Sequence, residues 1–284
     1  MKIEVPKHRQ LLASGNQNRR DFLDGEVVLI GAGPGDPELL TVRAHRLIQQ
    51  AECVIYDRLV SDEIMALVST DAERIYVGKK CADHAVPQEQ INELIVEKAR
   101  SGQKVARIKG GDPFIFGRGG EEVQELLQAG IPCRVVPGIT AASGCTTYAG
   151  IPLTHRDFVH GCTFITGHLK NDKLDLPWQA LAREDHTLVV YMGIKTVPVL
   201  ARELLQNGLP ESTPIGLISN GTTVDHRDYR TTLGELVEFV KVHQIQPPTL
   251  IVVGKVVNAL QDDIVEGDGE SKISSSSWEQ RRAI

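Results

Sequence analysis

Short apolar runs rich in β-branched residues alternate along this chain with segments whose apolar residues recur at helical spacing. In the first half, the strand-like runs are residues 26–31, 53–57, 74–77, 105–112 and 133–138. Helical spacing is clearest over residues 40–51 and 91–99. Strands that are joined through helices run parallel, and the helices then cover both faces of the sheet. We therefore predict an α/β fold built on a buried parallel sheet.

The pattern starts again after Pro137 and Gly138, a pair typical of a hinge. The later strand-like runs are residues 162–168, 187–193, 213–221 and 248–257, with helical patterns near 196–206 and 233–242. Because 41% of the 284 residues are hydrophobic, the chain can bury two medium-sized cores. We predict two α/β domains between a flexible arm and a Ser-rich disordered tail. The four segments are residues 1–24 (arm), 25–138 and 139–262 (domains), and 263–284 (tail).

Composition excludes several classes of protein. The net charge is -6 without a long run of one sign, which argues against binding to nucleic acid or to an anionic membrane. No apolar run approaches the roughly 20 residues of a membrane span, and the first 25 residues contain no signal-peptide core. The five cysteines form no CxxC pair and the nine histidines are scattered, so we predict that the chain has no metal site. We also predict that the protein is located in a reducing cytoplasm.

Two glycine-rich loops follow predicted strands, and the carboxyl ends of parallel strands are where such sheets bind ligands. The first glycine loop, residues 31–36, reads GAGPGD, which is not the GxGxxG pattern of dinucleotide-binding loops. Asp36 would repel a pyrophosphate, and Pro37 is expected to interrupt the turn before it can open a helix. These residues favour a cofactor without phosphates, such as S-adenosylmethionine, over a dinucleotide, which remains the alternative.

The second glycine loop, residues 110–121, has the sequence GGDPFIFGRGGE. A glycine-rich turn into a helix explains its glycines but not its three charges, Asp112, Arg118 and Glu121. Arg118 lies among glycines, so we expect it to have few local partners and to be available to a ligand. Thr140 opens a helix of small residues, and its alternative role is to cap that helix. The alternatives for Arg156 and Met192 are a satisfied surface group and a core residue.

Taken together, these motifs resemble the uroporphyrinogen III C-methyltransferase family of tetrapyrrole methylases. The matching phrases run in order from about residue 26 to residue 257. They are VVLIGAGPGDPELLT, VIYDRLVSDE, YVGKK, ARIKGGDPFIFGRGGEE, VVPGITAASG, YAGIPLTHRD, VYMG, SNGTT and PTLIVVGKVV. GAGPGD is shared by the wider superfamily, whereas FIFGRG together with IPLTHRD points to the uroporphyrinogen branch.

The resemblance implies a two-domain α/β fold, usually a homodimer, with the active site in the cleft between the domains. It implies that S-adenosylmethionine methylates C2 and C7 of uroporphyrinogen III, giving precorrin-1, then precorrin-2 and S-adenosylhomocysteine. The product serves sirohaem, cobalamin or haem d1 biosynthesis. In some relatives this module is fused to a dehydrogenase–ferrochelatase module; no such module is evident here, so we expect later steps to belong to other proteins.

The resemblance also implies roles for particular residues. Asp57 and Lys79 match the family's proton acceptor and proton donor. Arg118, Glu121 and Arg156 match positions tied to substrate binding or proton transfer. The implied cofactor contacts are Pro34, Gly110, Gly111, Asp112, Ile115, Thr140, Ala141, Met192 and Gly221.

The chemistry agrees with these residue types. A sulfonium methyl is already activated, so a pyrrole carbon can attack it in line once both are held about 3–3.5 Å apart. The attack leaves a cationic ring that must lose a proton, which Asp57 or Glu121 is suited to accept. Arginines suit a substrate with eight carboxylates. Two alternatives stay open: a methylase of a later corrin precursor or another acceptor, and a nicotinamide-dependent oxidoreductase.

Overall fold

A computed structural model describes residues 22–78, 86–168 and 174–260 of the chain. The first sheet has five parallel strands in the order β3-β2-β4-β1-β5. Its strands are β1 Val27–Gly31, β2 Cys53–Tyr56, β3 Glu73–Tyr76, β4 Val105–Lys109 and β5 Cys133–Val136. The helices of this half are α1 Val42–Gln50, α2 Asp62–Met65, α3 Gln88–Arg100 and α4 Gly119–Gln128. Helix α5, Ala141–Tyr148, follows β5 and packs against the core of the second sheet. The predicted parallel sheet is confirmed.

The first sheet is buried on both faces, because helices cover the two sides to which successive side chains of each strand point. On one face, Val28, Ile30 and Val54 pack against apolar residues of α1 and α2. On the other face, Leu29 and Ile55 pack against α3 and α4. Two-sided burial explains why these strands read as continuous apolar runs rather than as alternating ones.

The second sheet is mixed, in the order β6-β7-β10-β8-β9, and only β6 and β7 are parallel. Its strands are β6 Gly161–Thr166, β7 His186–Tyr191, β8 Pro214–Ser219, β9 Arg227–Thr232 and β10 Thr249–Val253. Its α-helices are α6 Trp178–Leu181, α7 Val197–Gln206 and α8 Leu236–Val242. Short 3-10 helices lie at Pro37–Leu39, Ile194–Thr196 and Lys255–Asn258. The two sheets with interleaved helices confirm the α/β class.

The second half does not simply repeat the first. Strand β9 follows β8 after a loop at residues 220–226 and pairs with it in the antiparallel direction. Strand β9 was not predicted because its sequence, RDYRTT, is polar, and a strand at the edge of a sheet needs little apolar surface.

The predicted N-terminal arm and C-terminal tail lie almost wholly outside the described residues. Phe22, which we had placed in the arm, is buried in the core of the first sheet, and its N–H donates to Gln50 Oε1 at 3.1 Å. The other domain boundaries stay predictions. Within residues 22–78, 86–168 and 174–260, no helix is long and apolar enough to cross a membrane.

Candidate functional site

The two glycine loops are joined backbone to backbone. Gly111 N–H donates to Gly33 O at 2.7 Å, and Gly33 N–H returns a bond to Gly111 O at 3.1 Å. Gly138, after β5, lies so close that a Cβ built on it would be 2.7 Å from the carbonyl carbon of Gly31. A Cβ built on Gly31 would be 2.8 Å from Gly111 O. Glycine is therefore required here because three strand ends meet at one point.

Asp112 fixes the second glycine loop to the hinge. Its Oδ1 accepts from Phe114 N–H at 2.8 Å, and its Oδ2 accepts from Gly138 N–H at 3.1 Å. The loop turns over itself, since Ile115 N–H donates to Asp112 O at 3.2 Å. Gly110 faces Leu59, whose carbonyl oxygen would lie 3.0 Å from an added Cβ. Asp112 thus has a structural task, and its predicted contact with a cofactor stays a prediction.

The Asp36 carboxylate caps the turn that follows the first glycine loop. Its Oδ1 accepts from Glu38 N–H at 2.8 Å, which caps the first 3-10 helix. Pro37 does not simply interrupt the loop, as we expected, but is the first residue of this helix, a position that suits proline. Tyr148 OH donates to Asp36 Oδ2 at 2.7 Å, and Asp36 N–H donates to Thr222 Oγ1 at 3.2 Å. A carboxylate already fills the anion site of this turn, which disfavours a dinucleotide.

Helix α5 packs between loops of both sheets. A Cβ on Gly144 would lie 2.6 Å from Pro34 Cγ in the first glycine loop. One residue further along the helix, the side chain of Cys145 fills the space beside Gly221, at the end of β8. The helix therefore brings Pro34 and Gly221, two predicted cofactor contacts that are distant in sequence, to the same region.

Tyr191, the last residue of β7, caps α5 from the second sheet. Its hydroxyl accepts from Ala142 N–H at 2.9 Å and bonds to Thr140 Oγ1 at 2.6 Å. Thr140 makes no capping hydrogen bond of its own, so the alternative that it caps the helix was wrong. Burial raises the pKa of Tyr191, so the hydroxyl stays protonated. The Tyr191 ring also contacts Phe116 of the second glycine loop, with ring centroids 5.0 Å apart.

Strained backbone is concentrated at strand ends. Left-handed conformations are uncommon outside glycine and cluster at binding and catalytic sites. Among the described non-glycine residues, six have positive φ, and five of them follow β4, β7 or β8. Those five are Phe116 (52°), Arg118 (58°), Met192 (54°), Asn220 (46°) and Thr222 (67°). Met192 is 51% exposed rather than part of the core, contrary to its alternative role.

Arg118 has a local partner, which corrects our expectation. It precedes α4, and its Nε donates to Glu121 Oε1 at 3.0 Å. The two side chains are each 55% exposed, so the pair contributes little to stability. Burial raises the pKa of Glu121, but its hydrogen bonds, above all the one from Arg118, and the charge of Arg118 outweigh this effect and hold the pKa below its usual range. Glu121 is therefore an ionised acceptor at neutral pH.

Asp57, just after β2, is held by a cluster of charged residues that we did not predict. Its Oδ2 lies 3.2 Å from Arg107 Nη2, and its Oδ1 accepts from Leu59 N–H at 3.1 Å. Arg107 and Lys109 in turn contact Glu122 Oε1 at 3.1 and 3.0 Å. One signal was available: two cations at alternate positions of an apolar strand, VARIK, lie on one face and require buried partners.

The remaining two predicted residues are Arg156 and Lys79. Arg156 is exposed between α5 and β6, and among the described residues it makes no hydrogen bond to another candidate. Lys79 lies outside the described residues. Across residues 22–78, 86–168 and 174–260, no group of three or more His, Cys, Asp or Glu side chains is arranged to hold a metal ion.

The model of one known protein family matches most of this chain. Residues 26–237 match the family model of tetrapyrrole (corrin/porphyrin) methylases, so the chain belongs to that family. This confirms the resemblance that the sequence motifs indicated.

Two curated siroheme synthases are similar to this chain in sequence. The chain is 54% identical over 259 residues to a siroheme synthase of Pseudomonas fluorescens strain SBW25, covering 88% of this chain and 56% of that protein. It is 56% identical over 245 residues to a siroheme synthase of Pseudomonas aeruginosa strain UCBPP-PA14, covering 86% and 52%. The chain thus spans about half the length of these curated relatives.

Two solved methyltransferase structures have a fold similar to that of this chain. A uroporphyrin-III C-methyltransferase from Thermus thermophilus, complexed with S-adenyl homocysteine, matches with a TM-score of 0.71 and 41% identity over 82% of this chain and 99% of that one. A cobalt precorrin-4 methyltransferase matches with a TM-score of 0.73 and 26% identity over 82% and 96%.

Proposed function

We propose that this chain transfers methyl groups from S-adenosylmethionine to C2 and C7 of uroporphyrinogen III, giving precorrin-2 through precorrin-1. The observation that carries the proposal is the similarity to the Thermus thermophilus enzyme in complex with S-adenyl homocysteine, over 82% of this chain and 99% of that one. The Asp36 carboxylate at the first turn supports a cofactor without phosphates and argues against a nicotinamide oxidoreductase.

The residues proposed to hold the cofactor fit such a group. Pro34 and Gly221 both lie against α5, Pro34 at Gly144 and Gly221 at Cys145. Gly111 faces the start of the same helix, where an added Cβ would lie 3.8 Å from Ala141 N. Gly110, Asp112, Ile115, Ala141 and Met192 complete the proposed set. When bound, S-adenosylmethionine supplies a methyl group on a positively charged sulfur.

The acid–base roles follow from the charges on the site. As the new carbon–carbon bond forms and the carbon–sulfur bond breaks, positive charge passes to the substrate, which must release a proton. We propose Asp57 as the acceptor, because its carboxylate is oriented on both oxygens and is 28% exposed. Lys79 is proposed as a proton donor, and Arg118 and Arg156 as partners of the substrate carboxylates. Glu121 is proposed to orient Arg118.

We also propose that the two sheets are two domains divided at Gly138, with the site in the cleft between them, and that the chain acts as a cytoplasmic homodimer. Sedimentation of purified protein tests the dimer. The product is proposed to enter sirohaem, cobalamin or haem d1 biosynthesis.

Incubation with uroporphyrinogen III and methyl-labelled S-adenosylmethionine, followed by mass analysis, tests the reaction. The expected product carries two added methyl groups. Because the precorrin-4 methyltransferase shares the fold, later corrin precursors should be assayed in parallel; methylation of one of these and not of uroporphyrinogen III would reject the proposed acceptor. In a thermal-shift assay, S-adenosylhomocysteine should raise Tm and NAD should not, since only a ligand of the folded state stabilises it. The reverse result would reject the methylase assignment.

A further inference from the structure

Beneath the second glycine loop lies a carboxylate that takes no part in the proposed reaction. The Glu122 side chain, on α4, has no exposed surface. Its Oε1 accepts from Arg107 Nε at 3.1 Å, Lys109 Nζ at 3.0 Å and Gln88 Nε2 at 3.2 Å. Its Oε2 accepts no hydrogen bond from any residue that the structure describes.

Stability does not explain this arrangement. Removing charges from water costs several kcal/mol per ion, so a buried ion pair contributes little net stability unless every polar atom is satisfied. Burial lowers the pKa of Lys109, and the nearby charge of Arg107 lowers it further, against the opposing effect of Glu122. An oxygen without a partner adds to this cost. The cluster therefore needs a reason other than holding the fold together.

The geometry of Arg107 supplies one. Its guanidinium is planar, so fixing one nitrogen fixes the directions of the other two. Nε is bound to Glu122, and Nη1 donates to Ile108 O at 2.9 Å. Nη2 then points at Asp57 Oδ2, 3.2 Å away. A rigid group thus connects the buried Glu122 to Asp57.

The exposed fractions of the side chains show which member of the cluster faces solvent. Side-chain exposure is 0% for Glu122, 4% for Arg107 and 5% for Lys109, but 28% for Asp57. Asp57 is therefore the member of the cluster that a substrate can reach, and the other three lie behind it.

We infer that Glu122 is a positioning residue: it holds the Arg107 guanidinium in the orientation that directs the Asp57 carboxylate toward the substrate. This inference rests on the proposed function, in which Asp57 accepts the proton. It concerns Glu122 and its connection to Asp57 through Arg107, and it assigns no contact between Glu122 and the substrate.

The same sheet contains a matched control. Glu26 and Arg134 form another buried carboxylate–guanidinium pair, with Arg134 Nε 2.8 Å from Glu26 Oε1 and side chains 1% and 9% exposed. Glu26 directly precedes β1, so this pair lies at the amino end of the strands, away from Asp57. Glu26→Gln and Glu122→Gln make the same chemical change at the two ends of one sheet.

The test compares steady-state methylation of uroporphyrinogen III by the full chain and its variants. Glu122→Gln should lower kcat by at least about tenfold, equivalent to about 1.4 kcal/mol. KM and the affinity for S-adenosylhomocysteine should change by less than about threefold, because Glu122 contacts neither ligand. Glu26→Gln should leave kcat unchanged while lowering Tm by a similar amount. Equal kcat in the two variants would overturn the inference.

A second comparison separates positioning from a general loss of structure. If Glu122 acts through Asp57, then adding Glu122→Gln to Asp57→Ala should slow the single-turnover rate by less than about twofold, because coupled residues are not additive. A full tenfold further loss would contradict the inference.

Should Glu122→Gln fail to fold, Arg107→Lys gives the answer. Lysine keeps the charge but has no planar fork to join Glu122 and Asp57, so kcat should fall in the same way; unchanged kcat would overturn the inference. If the proposed function is wrong, the unmodified chain will not methylate uroporphyrinogen III at all, and the inference is then rejected as well. An active unmodified chain with an active Glu122→Gln rejects the positioning role alone.

Discussion

Removal of a single hydroxyl group tests how the second sheet holds the proposed cofactor site. Tyr191→Phe keeps the ring, and with it the contacts to Phe116 and Phe164 at 5.0 and 6.0 Å between centroids. What is lost is the acceptor for Ala142 N–H and the bond to Thr140 Oγ1.

The expected loss of stability follows from the burial of Ala142. Ala142 has no exposed surface, so its N–H cannot turn to water in place of the hydroxyl. A buried donor left without a partner costs about 1–3 kcal/mol, and a lost helix cap is of the same order. We expect a loss of about 2 kcal/mol, which for a protein of this size corresponds to a decrease in Tm of about 4–8 °C. Because Thr140 and Ala141 are proposed cofactor contacts, the Kd of S-adenosylhomocysteine should rise about three- to tenfold.

Thermal unfolding and calorimetric titration measure both effects, and Tyr148→Phe is the matched control. The Tyr148 hydroxyl also bonds across the chain, to Asp36 at 2.7 Å, but Tyr148 is 49% exposed, so water replaces the lost bond. Its removal should cost less than about 1 kcal/mol. If the two variants lose equal stability, the capping argument is incorrect. Thr140→Val should add little to Tyr191→Phe, since the two share one interaction.

Three further outcomes are expected. Arg118→Lys should leave Tm and cofactor affinity nearly unchanged, since the bond of Arg118 to Glu121 is exposed. It should cut methylation by at least about tenfold, because lysine cannot bind a carboxylate through two parallel hydrogen bonds. Near-normal turnover would refute bidentate recognition. Asp112→Ala should weaken S-adenosylhomocysteine binding by about 1.5–3 kcal/mol and also lower Tm, because Gly138 N–H loses its acceptor; unchanged affinity in calorimetry would make Asp112 a turn residue only. Burial raises the pKa of Cys145 to about 12, so this thiol should resist alkylation at about pH 8 in the native protein and react once unfolded, as mass spectrometry would show; rapid native labelling would contradict its burial.

Much of the fold was predictable, because burial is encoded locally. A strand covered on both faces is apolar at most positions, and residues such as Val27–Gly31 show this without reference to any neighbour. The glycines of the two loops could be identified in the same way, since a close backbone approach excludes a Cβ. Ordered motifs of this kind were sufficient to indicate the family and to locate the candidate loops.

The tertiary structure decided what the local pattern leaves open. Strand β9 is polar, and its direction depends on the turn after β8 rather than on its own residues. Tyr191 caps a helix that begins some fifty residues earlier in the chain, a partner that no local spacing indicates. The connection from Glu122 through Arg107 to Asp57 likewise joins α4, β4 and the end of β2. Sequence periodicity reports how much of a side chain is buried, whereas the identity of its partner is decided only when distant elements pack together.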